Sequence, residues 1–99
     1  MTYTKFQEAV WQACAKIPKG KVSTYAEIAN AIGKPTAVRA VGNALNVNPH
    51  SPKVPCHRVI RSNGSVGGFA HGTKKKIEML KKDGAKIKNG KVISEIFRF

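Results

Sequence analysis

The sequence predicts a mostly α-helical domain with short β elements, organised around a helix-turn-helix. Three features carry that expectation. Apolar residues recur at helical spacing in several separate segments. A Gly33-Lys34-Pro35 break stands between two short helical patterns rich in small residues. An Asn89-Gly90 pair near the end lies between two short apolar runs, a strong hairpin signal. With 99 residues the chain has room for one modest core and not for two.

The first helix is expected over Thr4 to Ala15. Phe6, Val10, Trp11 and Cys14 form its apolar face, with Lys5, Glu8 and Gln12 on the other, so Cys14 reads as a packing residue. Pro18-Lys19-Gly20-Lys21 is a turn that the helix cannot run through. Ser23 or Thr24 caps a second helix, with Glu27 as capping-box partner and Ala26, Ile28, Ala29 and Ile32 inside. After the break, Thr36 starts a third helix to about Asn46, held on the core by Val38, Val41 and Leu45. Its exposed positions are small apart from Arg39, which lets its backbone approach a groove closely. This is the outline of a helix-turn-helix; a plain αα-hairpin is at least as common for such a pattern.

Asn46 to Lys53, with Pro49 and Pro52, is an irregular connection. It leads into Pro55-Cys56-His57-Arg58-Val59-Ile60, whose β-branched end reads as a short strand. Arg61-Ser62-Asn63-Gly64 is a turn. Val66 to Gly72 is a glycine-rich loop without the lysine placement of a phosphate loop. Thr73 caps a helix through about Lys82, with Ile77, Met79 and Leu80 apolar and lysines on the remainder. Ala85-Lys86-Ile87 and Val92-Ile93 flank the final turn.

Eighteen Lys and Arg against five Asp and Glu give a formal net charge of +13. Such an excess favours a polyanionic partner, nucleic acid before an anionic membrane. No apolar run is long enough to span a bilayer, and Met1 to Gln12 lacks the basic-then-apolar layout of a secretion signal. Cys14 and Cys56 form no Cys-x-x-Cys pair and fit free thiols in a reducing cytoplasm. His50, Cys56, His57 and His71 match no zinc spacing, so no metal or other cofactor is expected.

A thiol is only a few per cent ionised at neutral pH, and cationic neighbours raise that share. Cys56 is followed at once by His57 and Arg58. Adjacent side chains of an extended chain point to opposite faces. His57 would then act on Cys56 through a bend or a bridging water. The plainer reading is a buried structural cysteine beside a surface histidine.

With these pieces in order, the chain resembles the C-terminal, DNA-binding domain of O6-alkylguanine-DNA alkyltransferases. The likeness runs from Phe6 to Gly84. It rests on Gly20-Lys21-Val22-Ser23-Thr24-Tyr25, Arg39-Ala40-Val41-Gly42, Asn48-Pro49, the Cys56 hexapeptide and Gly67-Gly68-Phe69. The resemblance implies a winged-helix-like helix-turn-helix fold and DNA repair by direct reversal. An alkyl group would pass irreversibly from O6 of guanine, with O4 of thymine as a second candidate, to a cysteine. The implied partner is double-stranded DNA carrying O6-alkylguanine, bound from the minor groove by a monomer, with cooperative loading a further option. Neither a membrane nor a cofactor is implied.

Carried over position by position, the resemblance makes Cys56 the alkyl acceptor and His57 its base through water. Arg39 would enter the stack in place of the flipped nucleotide, and Tyr25 would push the neighbouring phosphate. Asn48 would brace the turn against the active segment. Thr36, Ala37, Ala40 and Gly42 fall on the DNA-facing helix. Pro55, Val59, Val66, Gly67, Gly68 and Phe69 would line the guanine pocket. Asp83 stands where the family usually has a histidine-orienting glutamate, and Phe69 where a tyrosine is usual. The N-terminal domain of longer members has no counterpart in these residues.

The chemistry agrees independently. A base must leave the stack before its O6 atom can be reached, at a cost of about a few kcal/mol. A long planar cation can fill the gap, and displacement at an alkyl carbon suits a thiolate without metal. Two other readings compete. Alkyltransferase-like proteins bind the same lesions with another residue in the cysteine's place, against which Cys56 argues. A cysteine hydrolase acting on acyl substrates leaves both the charge and Arg39 unexplained.

Overall fold

Helix α1 spans Lys5–Cys14, as its periodicity requires. Thr4 caps it: the side chain accepts from the Gln7 N–H, and the Gln7 side chain accepts from the Thr4 N–H. In this computed structural model, which describes residues 3–50, 53–67 and 72–99, Val10, Trp11, Ala13 and Cys14 are buried on one face of α1. The Trp11 indole donates to the Ala44 carbonyl at 2.9 Å and ties α1 to the third helix.

Helix α2 spans Tyr25–Ala31, with Thr24 accepting from the Glu27 N–H at its N-terminus. Ser23 does not cap. It is buried and donates to the Phe97 carbonyl instead. Helix α3 spans Val38–Asn46, two residues later than expected from Thr36. Lys34 to Ala37 close a turn first, through the Ala37 N–H to the Lys34 carbonyl. That turn takes up Pro35 and Thr36, so the helix begins only after it. Val38 consequently sits on the first turn and is 38% exposed. Val41, Ala44 and Leu45 hold α3 on the core. The α2–α3 pair packed on α1 is the helix-turn-helix.

Strand β1, Ser23–Thr24, pairs in parallel with β2, Val59–Ile60, with Ser23 opposite Val59 and Thr24 opposite Ile60. Alternation along β2 divides the interior. Val59 packs with the three helices and both cysteines, whereas Ile60 packs with Val22, Val66, Leu80, Ala85 and Val92. On the other side of β1 lies the C-terminal tail, through a Val22–Ile96 bridge.

Helix α4 spans Thr73–Lys82. Thr73 is its first helical residue and not its cap; Gly72 occupies the cap position at φ 91°, where its missing side chain leaves the end without a side-chain bond. Leu80 is fully buried as expected, but so is Lys76, whereas Ile77 and Met79 are half-buried. β3 (Ile87–Lys88) and β4 (Lys91–Val92) form the hairpin. Asn89 and Gly90 both have positive φ, 53° and 75°, as its two-residue turn demands. Among the described residues, no helix is long and apolar enough to cross a membrane.

Candidate functional site

The centre of the site is a turn where an extended chain was expected. Cys56–Arg58 form one turn of 3-10 helix, entered from Pro55 at φ −83°. The Arg58 N–H reaches the Pro55 carbonyl and the Val59 N–H the Cys56 carbonyl. A tight turn, not strand alternation, therefore sets the backbone at Cys56 and His57. Asn48 holds the approach. Its amide donates to the Val54 carbonyl at 3.0 Å, and its own oxygen accepts from the His50 N–H at 2.9 Å.

Cys56 and His57 are both buried, with 6% and 4% of their surface exposed. His57 Nε2 lies 2.7 Å from Asp83 Oδ2. A carboxylate only accepts, so Nε2 carries the proton and Nδ1 is left with its lone pair. Nδ1 is buried and makes no hydrogen bond among the described residues. Burial lowers the His57 pKa below its ordinary 6.5; the hydrogen bond and charge of Asp83 oppose that shift, and Arg58 and Lys76 add to it. His57 is thus neutral at physiological pH and has a basic nitrogen free.

Arg58 is not spent on Cys56, as its place in the sequence suggested. Its guanidinium grips Asp83, with Nε 2.7 Å from Oδ2, and donates to the Ile17 carbonyl at 2.8 Å. Burial alone would raise the Asp83 pKa, but the hydrogen bonds from Arg58 and His57 outweigh it and hold the carboxyl below its ordinary value. Asp83 caps the C-terminal end of α4, where the helix dipole opposes an acid. The Arg58 charge makes the placement tolerable. An aspartate reaches His57 despite being one methylene shorter than a glutamate.

A second group of residues surrounds Tyr25 at the start of α2. Arg39 is exposed on α3, and with Tyr25, Val38, Gly42 and Arg61 it lines a cavity of about 570 Å³. Gly42 faces the Tyr25 ring; a Cβ there would touch it at 3.9 Å. Thr36 and Ala40 are exposed, and Ala37 is half-buried in the turn before α3. Pro55 and Val59 are buried beside Cys56, and Val66 lies in the second core cluster. Gly67 borders Tyr25. Gly68 and Phe69, the rest of the expected guanine pocket, lie outside the described residues.

Two site features were not expected. Lys76 Nζ sits 3.3 Å from the Tyr25 hydroxyl and 5.7 Å from its ring centre, and burial lowers its pKa to about 8. Its spacing from Leu80 by one helical turn was a signal, but a lysine at an inward position reads as solvated until its long stem is seen to run inward. The Arg58–Asp83 pair was the other; nothing in 25 residues of separation marks it.

A family model described as the 6-O-methylguanine DNA methyltransferase DNA-binding domain matches residues 5–85. An inducible methylated-DNA–protein-cysteine methyltransferase of Bacillus subtilis is 52% identical over 77 residues, which cover 78% of this chain and 43% of that protein. The crystal structure of Mycobacterium tuberculosis OGT in complex with DNA is similar with a TM-score of 0.80 and 44% identity, over 83% of this chain and 51% of that one. S. pombe Atl1, in complex with damaged DNA containing O6-carboxymethylguanine, matches with a TM-score of 0.76 and 31% identity, over 98% of this chain and 93% of that one. The chain spans about half or less of the length of the curated relatives it matches.

Proposed function

The chain belongs to the 6-O-methylguanine-DNA methyltransferase family, through that family's DNA-binding domain, and on that premise we propose that it repairs O6-alkylguanine in duplex DNA by moving the alkyl group onto Cys56. The observation that carries the reading is the Cys56–His57–Asp83–Arg58 cluster, set on a 3-10 turn beside a helix-turn-helix with an exposed arginine.

Arg58 fixes Asp83, and Asp83 fixes the His57 ring in the tautomer with Nδ1 unprotonated. A water bridging Nδ1 and the thiol carries the Cys56 proton to His57. The thiolate attacks the alkyl carbon, an S–C bond forms, and the C–O6 bond breaks with its electron pair going to the guanine. The departing guanine anion takes up one proton, which balances the proton lost by the thiol. The product is a thioether that water does not readily cleave, so each molecule acts once. Arg39 fills the space left by the flipped nucleotide, Tyr25 bears on the adjacent phosphate, and the net charge of +13 supplies the general attraction.

A second reading has one observation behind it. S. pombe Atl1 matches along nearly the whole of both chains, whereas the transferases extend well beyond this one. That structure holds damaged DNA containing O6-carboxymethylguanine, so lesion binding without transfer is the second reading. Incubation with duplex DNA carrying labelled O6-methylguanine separates the two. Repair moves one label per protein molecule from DNA to protein and leaves guanine behind; stable binding with all label still on the DNA supports the second reading.

A further inference from the structure

Arg61 has no part in the roles above. It follows β2 directly, and its backbone is fixed at both polar groups: its N–H donates to the Ser65 carbonyl, and its carbonyl accepts from the Gly64 N–H, each at 2.9 Å. Its side chain crosses Gly67. A Cβ placed on Gly67 would lie 3.5 Å from Arg61 Cγ and only 3.0 Å from the Tyr25 hydroxyl. Glycine at 67, at φ 75°, is what lets the arginine stem and the tyrosine meet.

The guanidinium is exposed and opens on the same cavity of about 570 Å³ as Arg39. Among the described residues, no carboxylate lines that cavity. The two arginines come from different elements, α3 and the turn after β2, with Tyr25 in the lining between their attachments. Among the charges acting on the Tyr25 hydroxyl, whose pKa burial raises, Arg61 is the largest opposing influence. Lys76 bonds the same hydroxyl. Arg39 and Arg61 thus line one cavity with Tyr25, so an anion entering it would meet two guanidinium groups. A planar guanidinium on a fixed turn suits a phosphodiester, which it binds through two parallel N–H groups.

We propose that Arg61 is a phosphate anchor, which binds a backbone phosphodiester of the damaged strand next to the flipped nucleotide while Arg39 occupies the stack. The inference rests on the DNA-repair reading above. Arg39 would hold the gap, and Arg61 would hold the strand in its bent path.

The test uses binding to a duplex with one O6-methylguanine, measured by fluorescence anisotropy in the Cys56→Ala protein so that no transfer intervenes. Adding Arg61→Gln should weaken binding about tenfold to a hundredfold at low salt. It should also reduce the slope of log affinity against log salt by about one phosphate's worth. Methylphosphonates are then placed one at a time around the lesion. One position should weaken the Arg61 protein but leave Arg61→Gln unchanged. Arg61 is exposed, so the melting temperature should not move and serves as the folding control. An unchanged salt slope, with no methylphosphonate position that distinguishes the two proteins, overturns the anchor. A loss that depends on base sequence and not on salt also overturns it. Failure of the Arg61 protein itself to bind DNA would instead sink the repair reading.

Discussion

Cys14 and Cys56 belong to the same core cluster, and both are buried. Their surroundings nonetheless differ. Cys14 lies in the last turn of α1, a regular helix whose inward face is apolar. Burial, with the charge of Cys56 adding to it, pushes its pKa up to about 12, and the opposing charges of Arg58 and Lys76 do not compensate. Cys56 begins a 3-10 turn that puts a neutral histidine next in the chain, itself held by an acid and an arginine. Burial makes a cysteine inert unless the backbone delivers a base to it. The apolar face of a regular helix holds Cys14, whereas on the proposed reading the turn at Cys56 places His57 to serve as its base.

The sharpest way to break the comparison is to exchange the two fates. Cys56→Ala should abolish transfer completely while keeping affinity for O6-methylguanine duplex, because a buried thiol offers little to a phosphate backbone. Equilibrium binding alongside single-turnover repair checks both halves. Binding lost together with transfer would make Cys56 a structural residue.

The second effect concerns the base. Asp83→Ala should slow transfer to duplex and to free O6-benzylguanine alike, by about 10²-fold or more if general-base help has its usual size. The pH profile separates this from simple destabilisation. His57 has its folded pKa below 6.5, so wild-type transfer should fall only as the pH drops through that lower value. Asp83 opposes the lowering, so Asp83→Asn should move the acid limb to still lower pH while reducing the plateau rate. Stability should follow the same direction. His57 and Asp83 both have depressed values, so each contribution is complete above its ordinary pKa, 6.5 and 3.8, and is lost as the pH falls through the folded one. An Asp83→Ala protein with an unaltered rate and acid limb would remove Asp83 from the site.

A smaller and more selective loss is expected from Arg39→Ala. Repair of duplex should slow on the order of tenfold, since the flipped-out state loses its filler, while O6-benzylguanine reacts as before. Rates for both substrates in the same preparation decide it; an equal loss on both would end the flipping role. Smallest of all for transfer is Cys14→Ser. It buries a hydroxyl in an apolar cluster and should cost about 1–3 kcal/mol, several degrees of melting temperature for a domain of this size. The folded fraction should still transfer at the wild-type rate.

How far this contrast was legible beforehand differs between its halves. Cys14 was readable as packing because helical periodicity is local: Val10, Trp11 and Cys14 repeat within one segment. The helix-turn-helix and the Asn89-Gly90 hairpin were readable for the same reason. The start of α3 was misplaced because Thr36 offers a cap, while Pro35 and the turn behind it had the stronger claim. Val38 fell off the core with that shift. The cluster at Cys56 was visible as a motif, and Asp83 as its acid only through family resemblance. The 3-10 turn that aims it, the Arg58–Asp83 pair and the inward Lys76 depend on contacts far apart in sequence, which local periodicity does not encode.

The most direct test of the contrast is to map the acceptor. After reaction with O6-methylguanine duplex in excess, intact mass should show one added methyl group per molecule and no further turnover. Tryptic mapping should place it on the Val54–Arg58 peptide, at Cys56, with the Phe6–Lys16 peptide and its Cys14 unmodified. Methylation of Cys14, or continued repair beyond one lesion per molecule, would contradict the account.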